Sequence, residues 1–460
     1  MGLAVDGLVS GLDTTSLINS LIQLEALPQN ILKTKVSGSQ AMISALQGLN
    51  AKIASLATLA TDTAKPAALD LYKATSSSAN VSATATAGAS AGQVNIVVTT
   101  LAQAQVVVSA AMAAWPDDPP VLTIVGSDGT HTQLSAASTS LDDIVLAING
   151  ASTGTGVTAM KVSTGNGQFR LQFTATETGA AGAFDIYRGT SAAVTGGTAT
   201  NLLADPGAAI VTTGQDAEVT LWAGTPAAQI IKSATNTFTD LLPGVAVTVS
   251  ATSVDPITLT VARDDTKISK IAGDFVSALN GVFALISTKS TVIDSTDPSG
   301  NPTISGGVFT SDSMVRAVNE KILSAASMPV DGRSPSEIGI SITKTGELEF
   351  DADKFAKALA ADPDRVERVI QELASRVEAA ATEASDKYDG LITTKITGQE
   401  SLVKNFNTQI AEWDGRLEAR RATLERAYSS MEVQLSALNS QASWLTSQLS
   451  ALQPSSSNNS

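Results

Sequence analysis

The chain contains no cysteine and a single histidine, His131. Disulfides, thiolate nucleophiles and iron–sulfur ligation are thereby excluded, and a standard zinc site has almost nothing to build from. The missing cysteines leave the compartment open, since they suit the cytosol and an exported protein without oxidative staples alike. Cations are scarce too. The net charge over 460 residues is −15, the opposite of what phosphate binding needs, so no nucleic-acid partner is expected. Aromatic residues make up only 4% of the chain, which leaves small aliphatic residues to build its cores. A long apolar run is also lacking. The uncharged stretch 96–114 is interrupted by Gln103, Gln105 and Ser109 and alternates as strands do, so no membrane span is expected. No cofactor is expected.

Apolar periodicity is plentiful at both ends. In GLVSGLDTTSLINSLIQLEALPQNIL, residues 7–32, Asp13 is placed to cap a helix, and Leu17, Leu21 and Leu24 recur on one face with Ile18 and Ile22 beside them. Pro28 bends or restarts that helix. No Lys or Arg precedes Lys33, so the stretch reads as an uncleaved interaction helix and not as a secretory signal. Met42, Leu46, Leu49, Ile53 and Leu56 continue the pattern at alternating intervals of four and three up to Pro66. Near the other end, Val403, Ile410, Leu417, Leu424, Met431, Leu438, Leu445 and Leu452 stand seven apart without exception. Phe406 and Trp413 make a second row, which Arg420 and Arg421 interrupt before Tyr428 and Leu435 resume it. Such a stripe must bury itself against another helix, and the N-terminal rows are the expected partner.

Between the ends the composition changes. No charged residue occurs from Ala74 to Pro116, and QVNIVVT, QVVVSA, VLTIVG, GQFRLQFTATE, AEVTLWA, GVAVTVSAT and ITLTVA all read as strands between turn residues. The Gly/Ala/Thr-rich segment 190–207 reads as loop. Helical periodicity returns at Thr266, followed by an acidic loop from Asp294, a hairpin turning at Thr345-Gly346, and helices opened by Asp351 and by Asp362-Pro363.

The expected fold is therefore α+β, with long terminal helices forming a coiled-coil leg and an antiparallel β-rich head of two modules inserted between them. In residue terms, 1–38 is a flexible interaction helix pairing with 430–460, and 39–73 joins 266–429 in the leg. Residues 74–118 with 208–265 form one head module, and 119–207 a second, variable one. Residues 430–460 are a heptad helix and a disordered tail.

Catalytic patterns are weak. GASAG, Gly88–Gly92, matches a nucleophile elbow, but Ser90 would need a strand before it and a helix after it, and a strand is expected to follow. His131 sits in a turn-like GSDGTHTQL. The pairs Asp117-Asp118, Asp142-Asp143 and Asp264-Asp265 are sequence neighbours, which point to opposite faces of a strand and make poor acid–base couples. The chain is not expected to be an enzyme.

GLVSGLDTTSLINSLIQLEALP resembles the N-terminal signature of the flagellar filament capping proteins, the hook-associated protein 2 family. GQDAEVTLWAG with SATNTFTDLLPGVAVTVSAT, residues 214–252, is similar to the family's central strand-rich motif, and residues 337–366 resemble its C-terminal signature. Residues 119–207 carry little of the likeness, and Leu279 stands where the family often has tyrosine. The resemblance implies a homo-oligomeric cap of five or six subunits at the distal filament tip, beneath which exported flagellin folds and inserts. It also implies export through the flagellar apparatus with a cytoplasmic chaperone, an extracellular location, and hook–filament junction proteins as neighbours. Flagellins and junction proteins share the helical ends, but the arginine-containing LSSG-like start of flagellin has no counterpart here. A surface adhesin on the same head is the other alternative.

Overall fold

The computed structural model describes residues 11–86, 88–296 and 302–452. The expected disordered tail after 452 lies outside the described residues. The chain divides into two units, one made of the segments up to Leu69 and from Ser269 onward, the other of Asp70–Ile268.

Helix α1, Thr14–Glu25, starts where its chemistry dictates: the Asp13 carboxylate accepts from the Ser16 amide at 2.8 Å. Helix α2, Leu27–Ala64, restarts one residue after α1 ends, with Pro28 in its first turn, where a missing amide costs nothing. No boundary occurs at residue 38, because α2 runs straight through it.

The second unit is built from β1 Tyr72–Ser76, β2 Val81–Ala85, β3 Gly92–Thr100, β4 Val106–Val108, β5 Val121–Gly126, β6 His131–Ser135, α3 Leu141–Gly150, α4 Ser152–Thr155, β7 Val157–Gly165 and β8 Gln168–Ala175. It continues through β9 Phe184–Arg188, α5 Ser191–Thr195, β10 Thr200–Asn201, β11 Ala209–Thr212, β12 Ala217–Leu221, β13 Gln229–Ser233, β14 Thr237–Leu242, β15 Val245–Val249 and β16 Ile257–Arg263. One module stacks the sheet β1-β16-β3-β12-β13 on β14-β15-β2. Its core alternates down the strands, with Ile96, Val98, Val219, Val247 and Leu259 facing inward. The other module pairs β10-β9-β5-β6 with β11-β4-β8-β7 around Leu122, Ile144, Ile148, Leu171 and Phe173.

Three expectations are corrected here. Strand β4 was expected in the first module, yet Val106–Val108 pairs with β8 and β11, so the chain crosses between modules near residue 103 and returns after 212. The cause is Val107, which joins the second core. Leu141–Gly150, read as part of a strand-rich run, forms α3, whose apolar face is Leu141, Ile144 and Ile148. The segment 190–207 holds α5, β10 and a short 3₁₀ turn at Leu202–Ala204, where Leu202 is buried.

The chain then adds α6 Asp265–Ser290, β17 Val292–Thr296, β18 Pro302–Gly306, α7 Ser313–Ser327, β19 Ile340–Ile342, β20 Leu348–Phe350, α8 Ala352–Ala361, α9 Pro363–Ser385 and α10 Leu391–Leu452. Of the acidic stretch from Asp294, read as loop, residues 294–296 belong to β17 and Pro302 opens β18, which pairs with it antiparallel. Caps at Asp351 and Asp362 form as the sequence reading requires. Asp386 closes the turn between α9 and α10, accepting from the amides of Tyr388 at 2.7 Å and Asp389 at 2.8 Å. Those two bonds favour the ionised form and hold its carboxyl below the ordinary value.

Candidate interaction surface

Leu46, Leu49, Ile53 and Leu56 of α2 are sealed at no more than 1% exposure, and Met42 is half-buried. They form the face that α9 and α10 cover. The α9 residues Val366, Val369, Ile370, Leu373 and Val377 supply the opposing apolar side chains. Further out, polar contacts give the register. The Lys35 ammonium lies 5.8 Å from the Phe406 ring centroid, Gln29 donates to Asp414 at 2.5 Å, and Glu25 pairs with Arg420 at 3.0 Å. Rising numbers on α1 and α2 meet falling numbers on α10, so the terminal helices run antiparallel. Gln29 is 4% exposed and also accepts from Lys33 at 3.1 Å. A buried carboxamide in an aliphatic seam penalises every other register, because slippage would leave it unpaired.

The surface differs from the expected one in three respects. First, Leu17 and Leu24 are 42% and 65% exposed, while Ile18 and Thr14 are the buried residues of α1 and Leu21 is half-buried. Polar partners decide this rotation: Asn19 accepts from Arg421 at 2.7 Å, and meeting both arginines turns the leucines outward. Second, with Lys35 opposite Phe406, the first residue of α10 falls opposite about residue 50 of α2. Ile53 and Leu56 therefore lie beyond the heptad helix and pack on α9. Third, Ile410, Leu417, Leu424 and Met431 are half-buried, but Leu438 and Leu445 are 59% and 54% exposed, past the level where α1 begins. The half-buried row steps from Leu417 by four to Arg421 before regaining Leu424 and Tyr428. Such a stutter unwinds a heptad seam locally and places the two arginines against α1.

The base of α10 is anchored. Ile392 is fully buried, and the Lys395 ammonium pairs with Asp312, which also accepts from the amides of Met314 and Val315 at the start of α7. Burial pushes the Asp312 carboxyl up, but Lys395 and the two amides outweigh it and hold the carboxyl below its ordinary value.

The catalytic patterns do not assemble. Gly92 opens β3 instead of a helix, so Ser90 is not on a nucleophile elbow. His131 lies on β6 with Nδ1 3.3 Å from Ser191 Oγ. Asp117 pairs with Arg188, Asp142 with Lys161, Asp265 with Arg263, while Asp143 accepts from Ser138 and Asp264 from the Lys267 amide. Among the described residues no group of three or more His, Asp and Glu is close enough to hold a metal. Helix α6 is long and apolar enough to cross a membrane, but its Phe275, Leu279 and Val282 are core residues.

Sequence reasoning missed one recurring device. Four carboxamides each bond both the N–H and the C=O of one distant residue: Asn149 with Ala159, Asn236 with Ala102, Asn280 with Leu348, and Gln105 with Phe184. Each acts as a one-residue strand, satisfying a backbone edge that the sheets leave open. Three of the four lie at Asn or Gln positions inside otherwise apolar patterns, which was the only available signal.

A chain whose helical ends pair while antiparallel β modules are inserted between them has the fold of a flagellar cap protein. Its fold is that of the crystal structure of the flagellar cap protein FliD D1-D2-D3 domains from Escherichia coli, at a TM-score of 0.59 and 23% identity, covering 77% of this chain and 99% of that one. Residues 10–105 and 214–440 match the flagellar hook-associated protein 2 N-terminus and C-terminus families, and residues 121–177 match the flagellin hook IN motif. The chain belongs to the flagellar hook-associated protein 2 family. It is 28% identical over 452 residues to flagellar hook-associated protein 2 of Escherichia coli O157:H7, covering 93% of this chain and 94% of the relative. It is 26% identical to the B-type flagellar hook-associated protein 2 of Pseudomonas aeruginosa, covering 92% of each. The flagellin hook IN motif match lies in the module where the sequence showed little of the family likeness.

Proposed function

We propose that the protein is a structural cap at the distal tip of the bacterial flagellar filament, a homo-oligomer beneath which exported flagellin folds and inserts. Its family membership supports this reading. The observation that carries it is the two-faced terminal pair: α1 holds its own chain through Asn19 and Glu25 while Leu17, Leu24 and Ile31 face out, and α10 continues bare through Leu438, Leu445 and Leu449. Those outward side chains dock on the filament end, and several legs engaging together gain avidity. Met42, Leu46, Leu49, Ile53 and Leu56 hold the leg together from within. Flagellin and the hook–filament junction proteins are the neighbours at the tip. The route out is the flagellar export apparatus with a cytoplasmic chaperone, and the protein acts by contact, not catalysis.

The test adds purified protein to cells lacking a cap. Full-length protein restores filaments and lowers secreted flagellin monomer, whereas a variant lacking residues 7–32 does neither. Equal restoration by the truncated protein would show that the stretch does not dock. The flagellin hook IN motif at 121–177 favours a second reading, a filament or junction subunit. Copy number separates the two, since a cap is a minor component at one tip and a filament subunit is bulk.

A further inference from the structure

The dipeptide Asn-Gly occurs at 149–150, 166–167 and 280–281. It is open to attack from within, because a glycine has no β-carbon to shield its amide nitrogen from the carboxamide before it. Whether the attack happens depends on what the fold does with both groups. At two of the three positions it ties them down. Asn149 holds the Ala159 backbone at 2.9 and 2.7 Å, and Asn280 holds that of Leu348 at 2.6 and 2.8 Å. Gly150 ends α3 and Gly281 lies within α6, so helical backbone fixes both following amides.

The third position is built the other way. Asn166 and Gly167 are the two-residue turn of hairpin β7–β8, which Gly165 and Gln168 close by pairing. Their φ angles are +50° and +72°, and a type I′ turn requires positive φ at both central positions. Both residues are exposed, and a β-carbon built on Gly167 would meet no atom within 4 Å. Among the described residues nothing bonds the Asn166 carboxamide, and the Gly167 amide has no acceptor. The neighbouring hydroxyls are committed elsewhere: Ser163 accepts from the Gly165 amide and Thr164 donates to the Gln168 carbonyl.

We infer that Asn166 is a self-modification site: the folded protein deamidates and isomerises there and spares Asn149 and Asn280. The Gly167 nitrogen gives up its proton and bonds to Asn166 Cγ. The bond from Cγ to the carboxamide nitrogen breaks, and ammonia leaves a five-membered succinimide. Water then adds to one ring carbonyl and opens the ring. Opening at Cγ gives aspartate; opening at the main-chain carbonyl gives isoaspartate, in which the chain runs through the former side chain. One water is consumed, one ammonia is released, and nothing is oxidised or reduced. Either product adds a negative charge to the hairpin tip. Isoaspartate also puts one more carbon into the backbone of the turn, so the Gly165–Gln168 pair no longer closes. Buried Val157, Ala159, Leu171 and Phe173 hold the rest of the hairpin, which confines the change to the tip. The inference depends on this turn and not on the cap reading.

The test incubates full-length protein in heavy-oxygen water at 37 °C and pH 8.5, both folded and in urea, and maps its peptides by mass spectrometry. In the folded protein Asn166 takes up label at least about tenfold faster than Asn149 and Asn280, which react only through local opening. In urea the three convert at comparable rates. The folded product accepts a methyl group from an isoaspartyl methyltransferase, and Asn166→Gln removes that acceptance. At pH 6 the conversion slows in step with hydroxide. Equal rates at the three positions in the folded chain would overturn the inference. So would an Asn166 that stays intact in the folded chain while all three convert in urea.

Discussion

Replacing Asn280 with Asp changes one nitrogen to oxygen and tests the carboxamide device directly. Asn280 donates to the Leu348 carbonyl at 2.6 Å and accepts from the Leu348 amide at 2.8 Å. The new carboxylate keeps the acceptor, loses the donor and sets an anion against a carbonyl oxygen. Losing the bond costs about 1 kcal/mol, and a part-buried carbonyl left unpaired adds roughly 1–2 kcal/mol. At pH 7 the variant should therefore be about 2–3 kcal/mol less stable. A protonated carboxyl can donate again, so the folded state favours the protonated form and raises the new group's pKa above the unfolded value, near 3.9. A raised pKa gives stability that is present at low pH and lost as pH rises through the folded value. The deficit should shrink by about 1.4 kcal/mol for each unit by which the pKa is raised. Urea unfolding followed by circular dichroism at 222 nm, at pH 7 and pH 4.5, measures it against Asn280→Ala. The alanine variant loses both bonds and has no such pH dependence. A deficit of equal size at both pH values in the Asp variant would refute the strand-surrogate assignment.

Three further outcomes are expected. Lys395→Met removes the partner of Asp312, lowers helical stability at pH 7 and blunts its acid dependence, which in the parent is a loss as pH falls below about 4, through the depressed folded pKa; acid titration of ellipticity checks both. Leu46→Ala costs about 2–5 kcal/mol because its side chain is fully buried, whereas Leu438→Ala stays within about 0.5 kcal/mol in the isolated chain; thermal melts of the two compare them. Leu417→Ala with Leu424→Ala costs less than twice the fully buried figure, since both are half-buried, and leaves the β-rich unit folded, as a protected core in hydrogen exchange would show.

The strand-rich middle was legible where apolar residues alternate strictly, as in VNIVV and VAVTV. Strands β1, β2 and β13 were not: the inner positions of β1 and β2 are largely small alanines, Ala74, Ala83 and Ala85, and in β13 the exposed Ile230 stands next to the half-buried Ile231, so apolar alternation is blurred in all three. Helix starts were legible to the residue at Asp13, Asp351 and Asp362, since capping is local chemistry. The rotation of α1 was not. Its periodicity allows two apolar faces, and the choice is made by Arg420 and Arg421, some 400 residues away in sequence. Ends and middle can be read from neighbours in the chain, while the seam between the ends depends on partners that only folding brings together.

Helix α10 is anchored at Ile392 and bare from Leu438 to Leu449, so its exposed leucines stand about 70 to 85 Å from the buried end. A stiff helix sets that distance by counting residues, where a coil would set it by averaging over conformations. Length and azimuth are consequently separable. Removing seven residues near Leu435 shortens the reach by about 10 Å and returns the leucines to nearly the same side. Removing two shortens it by only about 3 Å but turns the stripe through about 160°. The leg therefore works as a gauge with a pointing direction, and a binding partner could tell those two deletions apart although composition hardly changes.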